Sequence, residues 1–220
     1  MSKELKKKNL IFVGAPGSGK GTFAGIFREV HPVAHISTGD LLRDEVKRDT
    51  ELGREASALM KAGKLVPDQI VADMVRARLQ QPDCDGGFIL DGYPRTIRQA
   101  ELLDQVLSDL GRTLDCVVYL NVPDEEILTR LTSRLSCKEC KAIYNKLFMP
   151  PKVEGICDKC GGELIQRADD NLETAKDRLQ VFYSQTSPLL DLYKERGLIY
   201  EITELDKSKA MPLLLAELEA

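Results

Sequence analysis

The residues of this chain that could do chemistry fall into two groups far apart in the sequence. The first is the run Gly14-Ala15-Pro16-Gly17-Ser18-Gly19-Lys20-Gly21-Thr22. Its glycines let the backbone curl until N–H groups face phosphate oxygens, and a helix starting behind the loop aims its positive end at the same place. Lys20 adds a mobile cation, so the run reads as a cradle for the phosphates of a nucleoside triphosphate. In the general pattern a Ser or Thr follows the lysine directly and binds magnesium, whereas here Gly21 intervenes before Thr22.

The second group is four of the six cysteines. Cys137-x-x-Cys140 and Cys157-x-x-Cys160 stand 16 residues apart, the spacing of a structural zinc site with four thiolate ligands. A segment of about 30 residues buries too little apolar surface to order itself, and a tetrahedral metal supplies the cross-link. Four thiolates leave no open position, so the metal is expected to be structural and not catalytic. Two disulfides are the alternative, and iron or cobalt share the ligand set. Cys84 and Cys116 read as small core hydrophobes.

Both groups need elements to hold them. Asn9 to Gly14 is an apolar run ending in glycine and Phe23 to Val30 has helical spacing, which gives the order strand, loop, helix around the phosphate cradle. Gly87 to Leu90 and Cys116 to Val122 lack the alternation of half-exposed strands and read as buried parallel ones, with helices between them. From Ser37 to Val66 the pattern changes to charged helices, with Leu52, Ala56, Leu59 and Met60 on one face and Gly63 as a C-cap. Leu135 to Arg167 is rich in Cys, Lys, Gly and Pro with little periodicity and reads as an inserted lid. Asn171 to Arg196 returns to helix, with Leu179, Phe182, Tyr183, Leu189, Leu190 and Leu192 as its apolar positions, and Leu198 to Ile202 reads as a last strand.

The chain has 220 residues, 43% of them hydrophobic, enough for one full core with smaller lobes. Its 31 basic and 35 acidic residues give a net charge of -4, so no global positive field points to nucleic acid. Leu10 to Val13 is too short for a signal peptide or a membrane span, which predicts a cytoplasmic protein with no membrane partner. That reducing compartment favours cysteine ligands over disulfides. Nothing in the sequence demands an oligomer, and a monomer is expected.

Three further segments carry a resemblance. Ser37-Thr38-Gly39-Asp40-Leu41-Leu42-Arg43 opens the helical stretch, and Gly63-Lys64-Leu65-Val66-Pro67-Asp68 closes it. Phe88-Ile89-Leu90-Asp91-Gly92-Tyr93-Pro94-Arg95 follows a core strand, with Gln99 one turn on. With the GxPGxGKGT form of the loop, these segments resemble the adenylate kinase family across nearly the whole chain. The resemblance implies an α/β, three-layer P-loop NTPase fold whose central parallel sheet is flanked by helices. It also implies a core of residues 1–36, 67–133 and 169–220, a helical AMP lobe over 37–66 and a zinc lid over 134–168. The reaction implied is reversible phosphoryl transfer from Mg-ATP to AMP, giving two ADP.

Residue by residue, the resemblance puts Gly17, Ser18, Gly19, Lys20, Gly21 and Thr22 around the ATP phosphates, with Lys20 on the transferred group. Arg134 and Arg130 are implied ATP contacts, and Ile143 and Tyr144 cover ATP from the lid. Asp91 is implied to hold Mg2+ through water. Thr38, Arg43 and Arg95 fall on the AMP phosphate, while Lys64, Leu65, Val66, Gly92, Tyr93 and Pro94 line its site and Gln99 reads the adenine edge. Arg167 and Arg178 grip both sets of phosphates, beside the acidic pair Asp169-Asp170.

Chemistry agrees with this set, because two highly charged nucleotides repel and the fork of arginine suits phosphate; Arg43, Arg95, Arg134, Arg167 and Arg178 are the arginines available. The acceptor phosphate has a second pKa near roughly 6 and is largely ionised at neutral pH, so no general base is required. His31 and His35 accordingly lie in no chemical motif and read as surface or satisfied core residues. Two departures stand out: Leu135 follows Arg134 where many relatives carry a second arginine, and Ile202 to Lys207 lacks the late Asp-Gly turn, leaving the last adenine contact unassigned. A kinase for UMP, CMP or GMP is the nearest rival, against which Gln99 and the four-cysteine lid argue. An ATPase with a nucleic-acid-binding ribbon is more distant: Lys138, Lys141, Lys146, Lys152 and Lys159 are present, but aromatics beyond Tyr144 and Phe148 are lacking.

Overall fold

The structure, a computed structural model, describes residues 7–204 and 206–219. Strands Asn9–Val13 (β1), Ala34–Ser37 (β2), Phe88–Asp91 (β3), Cys116–Leu120 (β4) and Ile199–Ile202 (β8) form one parallel sheet in the order β2-β3-β1-β4-β8. Alternate residues of β1 enter different apolar clusters. Leu10 and Phe12 pack with Phe23, Phe27 and Leu214, whereas Ile11 and Val13 pack with Val75, Leu103 and Leu189. A strand buried on both faces has to be apolar throughout, which is why β1, β3 and β4 read as continuous runs and not as alternating ones. Cys84 and Cys116 are buried, one in each cluster.

One face is covered by α1 (Lys20–Val30) and α9 (Lys207–Glu219), the other by α4 (Asp68–Leu79), α5 (Ile97–Asp109), α7 (Leu172–Val181) and α8 (Pro188–Glu195). This is the expected three-layer architecture. The helix expected over Asn171 to Arg196 is two helices, joined by a π-type turn in which Ser187 N–H donates to Phe182 O at 2.8 Å. Met1 to Lys6, the lysine-rich start of the chain, and Leu205, within the stretch lacking the Asp-Gly turn, lie outside the described residues. Among the described residues no helix is long and apolar enough to cross a membrane.

Between β2 and β3, α2 (Thr38–Lys47) and α3 (Glu51–Lys61) are capped by Ser37 and Thr50, whose hydroxyls accept from Asp40 N–H and Gly53 N–H. Gly63 ends α3 as anticipated: its N–H donates to Met60 O at 3.1 Å and Lys64 N–H to Leu59 O at 2.9 Å, closing the last turn. After α6 (Asp124–Thr132), strands Arg134–Cys137 (β5), Ile143–Asn145 (β6) and Leu164–Ile165 (β7) form a small antiparallel sheet ordered β6-β5-β7. Its buried cluster is only Cys137, Tyr144, Cys157 and Leu164.

Candidate active site

In a parallel sheet the carboxyl ends of the strands all point one way, and ligands bind where neighbouring strands send their connections to opposite faces. Here β1 runs into the glycine loop, β2 into Thr38 and β3 into Asp91, and a cleft of about 1120 Å³ opens above them. Twelve Lys and Arg side chains line it against five Asp and Glu, in a chain whose net charge is -4. The basic excess is local, as a chain that binds anions at one place requires.

At the loop, Gly17 and Gly19 have φ of +87° and +95°, and a Cβ on Gly17 would lie 2.8 Å from Leu131 Cγ. No side chain caps α1, which leaves its first N–H groups for an anion. Lys20 Nζ donates to Gly14 O at 2.8 Å and Ala15 O at 2.9 Å. Burial in the cleft lowers its pKa to about 8, with Asp91 opposing and Arg95, Arg178 and Arg134 adding to the shift. A bound polyanion would reverse that penalty. Ser18 is buried under the loop and, unlike its neighbours, does not line the cleft.

Asp91 lies across from the loop. Burial works against its charge, yet His35 and Lys20 outweigh burial and hold its pKa below the usual carboxylate range. His35 Nε2 is 3.4 Å from Asp91 Oδ2, so one of the two histidines read as chemically idle sits on an acidic group of the cleft. The other, His31, packs in the core with its ring 5.2 Å from that of Phe27. A Cβ on residue 21 would lie 3.4 Å from Asp91 Oδ2; Gly21 therefore keeps the space beside this carboxylate open.

The arginines are held by carboxylates. Arg134 donates through Nε to Asp170 Oδ2 at 2.7 Å, and Arg178 Nη1 lies 2.8 Å from Asp169 Oδ2 and 3.3 Å from Asp170 Oδ1. Arg43 Nε donates to Asp40 Oδ1 at 3.1 Å, and Arg167 Nη2 lies 3.7 Å from the same oxygen. Arg167 Nε is buried without a hydrogen-bond partner, a donor in want of an acceptor. Burial lowers the pKa of Arg167 and Arg178 to about 10, so both stay charged at neutral pH. Burial would raise Asp40 and Asp169, but the arginines beside them pull both below their ordinary values.

At the far end of the cleft, Thr38 Oγ1 donates to Gly92 O at 2.8 Å and Arg95 Nε to the same carbonyl at 2.7 Å. Gln99 is buried and lines the cleft with Lys64, Leu65, Val66, Gly92 and Pro94. Tyr93 does not reach it; its ring is in the core and its hydroxyl donates to Gln99 O at 3.1 Å. From the lid, Ile143 and Tyr144 line the cleft, although the Tyr144 ring is buried and its hydroxyl accepts from Asp158 N–H at 2.9 Å. Thr22 and Arg130 also line it. So does Lys207, unassigned from sequence, whose Cε lies 3.7 Å from where a Cβ on Gly19 would stand. The signal available for it was position: it comes after the last strand, as Gly14 comes after β1.

The lid also touches α2 and α1 across the cleft. Lys141 Nζ is 3.1 Å from Asp44 Oδ1 on α2, and Lys159 Nζ is 3.8 Å from Glu29 Oε1 on α1. Behind them the four lid cysteines are free thiols whose Sγ atoms all lie within 4.8 Å of one another, with the Cys137–Cys160 and Cys140–Cys157 pairs at 3.5 Å. A tetrahedron with metal–sulfur bonds of about 2.3 Å has edges of about 3.8 Å, so the cage has the size for one such ion.

A five-stranded parallel sheet with a glycine loop feeding α1, an aspartate ending the adjacent strand and a cationic cleft above is a P-loop nucleotide-binding fold. A family model described as adenylate kinase matches residues 12–198. The chain is 48% identical over 212 residues to an adenylate kinase of Archaeoglobus fulgidus, covering 96% of each chain. It is 54% identical over 190 residues to one of Caldicellulosiruptor saccharolyticus, covering 86% of this chain and 88% of the relative. It is 49% identical over 210 residues to one of Carboxydothermus hydrogenoformans, covering 96% and 97%. The chain belongs to the adenylate kinase family.

Proposed function

We propose that this protein transfers the terminal phosphoryl group of Mg-ATP to AMP, reversibly, giving two ADP. The observation that carries this reading is that Lys20, Gln99 and the arginines all line one continuous cleft. The loop of residues 17–22 would wrap the ATP phosphates with Lys20 on the transferred group, and Arg130, Ile143, Tyr144 and Lys207 would border its nucleoside. AMP would place its phosphate on Thr38, Arg43 and Arg95 and its base against Gln99, residues 64–66 and 92–94.

Transfer then needs positioning and charge more than proton chemistry. Arg134, Arg167 and Arg178 offset the repulsion between the two phosphate chains and, already oriented by Asp40, Asp169 and Asp170, undergo no reorganisation at the moment of transfer. The AMP phosphate attacks ionised, so no base is assigned. Asp91, with the space left by Gly21 and the hydroxyl of Thr22, suits a hydrated Mg2+; when bound, that ion neutralises charge on the β- and γ-phosphates. The cage of Cys137, Cys140, Cys157 and Cys160 suits a structural Zn2+, which would order the lid.

On this reading residues 37–66 form the AMP lobe and 134–168 a lid that closes over ATP and excludes water as a competing acceptor. A monomer belongs to the same reading, since nothing in the sequence demands an oligomer; a cytoplasmic location fits the free cysteines. A coupled assay offering AMP, CMP, UMP and GMP as acceptors with Mg-ATP tests the reading, which predicts AMP as the preferred acceptor. Preference for a pyrimidine or for GMP would overturn it.

A further inference from the structure

The proposed AMP site offers one amide, that of Gln99, to the purine edge, and the inference below rests on that reading. Adenine presents a donor at N6 and an acceptor at N1. A 6-oxopurine such as hypoxanthine presents the reverse, an acceptor at O6 and a donor at N1–H. A side-chain amide free to turn over about its last bond matches either edge and so distinguishes neither. Specificity requires that something hold the amide in one orientation.

Two groups do so here. Gln99 Oε1 accepts from the Arg95 backbone N–H at 2.7 Å, and Gln99 Nε2 donates to Asp68 Oδ1 at 2.8 Å. Turning the amide over would set its NH2 against an N–H and its carbonyl oxygen against a carboxylate. Gln99 is 2% exposed, so water cannot repair either mismatch. Asp68 is itself fixed: its Oδ2 accepts from Thr96 Oγ1 at 3.1 Å, while the same hydroxyl accepts from Gln99 N–H at 3.0 Å as the cap of α5. What remains to Gln99 is one N–H and one lone pair in a fixed order, which can match only one of the two edges; on the proposed function that edge is adenine's.

We propose that Asp68 is a positioning residue that makes the acceptor site select 6-aminopurine over 6-oxopurine nucleotides by locking the Gln99 amide. Asp68→Asn keeps the shape but can donate as well as accept, which removes one of the two locks.

The test measures kcat/KM for AMP and for IMP with Mg-ATP in the wild type, in Asp68→Asn, in Gln99→Leu and in the double variant. Asp68→Ser is carried in parallel, and each variant is taken through a thermal melt. The expected result is that Asp68→Asn and Asp68→Ser lower the AMP:IMP ratio about tenfold or more, while kcat with AMP changes by less than about threefold. In the Gln99→Leu background the Asp68→Asn change should move the ratio no further, since Asp68 acts only through the amide. A wild type that prefers AMP, with Asp68 variants that keep its ratio within about twofold or shift it equally without Gln99, overturns this inference and leaves the function standing. A wild type that ignores AMP or prefers IMP overturns the reading of the site, and the inference with it.

Discussion

Arg134 and Asp170 meet where the lid joins the core: the guanidinium opens into the cleft while the carboxylate, with 0% exposure, is sealed beneath it. The same carboxylate reaches Arg178, so one buried charge orients two of the arginines that line the cleft.

Asp170→Asn should therefore lower both stability and turnover. Breaking a buried pair from one side costs about 3–5 kcal/mol, because the largely buried guanidiniums of Arg134 and Arg178 lose their partner charge. A fall in melting temperature of roughly 6–20 °C with a loss of kcat is expected, read by calorimetry and a coupled assay. A variant with wild-type melting and turnover would show that Asp170 orients nothing.

Lys20 predicts opposite pH trends for activity and stability. Its pKa in the folded chain is about 8 against an ordinary 10.5, so between those values the unfolded state binds more protons. By itself this group makes stability rise with pH through that window. The free enzyme meanwhile loses the charge that meets ATP, so kcat/KM for ATP should fall about tenfold per pH unit above about 8. A profile of kcat/KM that stays flat to pH about 10 would contradict the placement of Lys20 on the phosphates.

The cysteine cage predicts one zinc per chain by elemental analysis. Chelation should release four thiols to a colorimetric reagent, lower the melting temperature and reduce transfer, because the lid has only a four-residue buried cluster of its own. Native protein in which those four thiols are already oxidised would defeat the assignment.

Much of the fold was legible because burial leaves continuous apolar runs: β1, β3 and β4 announce themselves, as do the glycine loop and the two Cys-x-x-Cys pairs. Other elements left no such trace. The lid strands of two to four residues are too short for periodicity and are held by the cysteine cluster. Edge strand β2 is four residues with only half of them buried, and α9 contains Pro212, which reads as a breaker. At the site, residue types were legible but pairings were not. Nothing local to His35 points to Asp91, or local to Gln99 to Asp68, 31 positions away; topology alone brings these partners together. Tyr93 shows the converse, since it stands in the right motif but turns into the core.

On the proposed function, two nucleotides share one cleft and exchange a phosphoryl group directly. Phosphorus NMR of Mg-ATP and AMP with the protein follows both nucleotides and any free phosphate in a single spectrum. Two ADP are expected for each AMP consumed, with no inorganic phosphate accumulating on that timescale. Inorganic phosphate released in step with ATP loss, with AMP untouched, would contradict it.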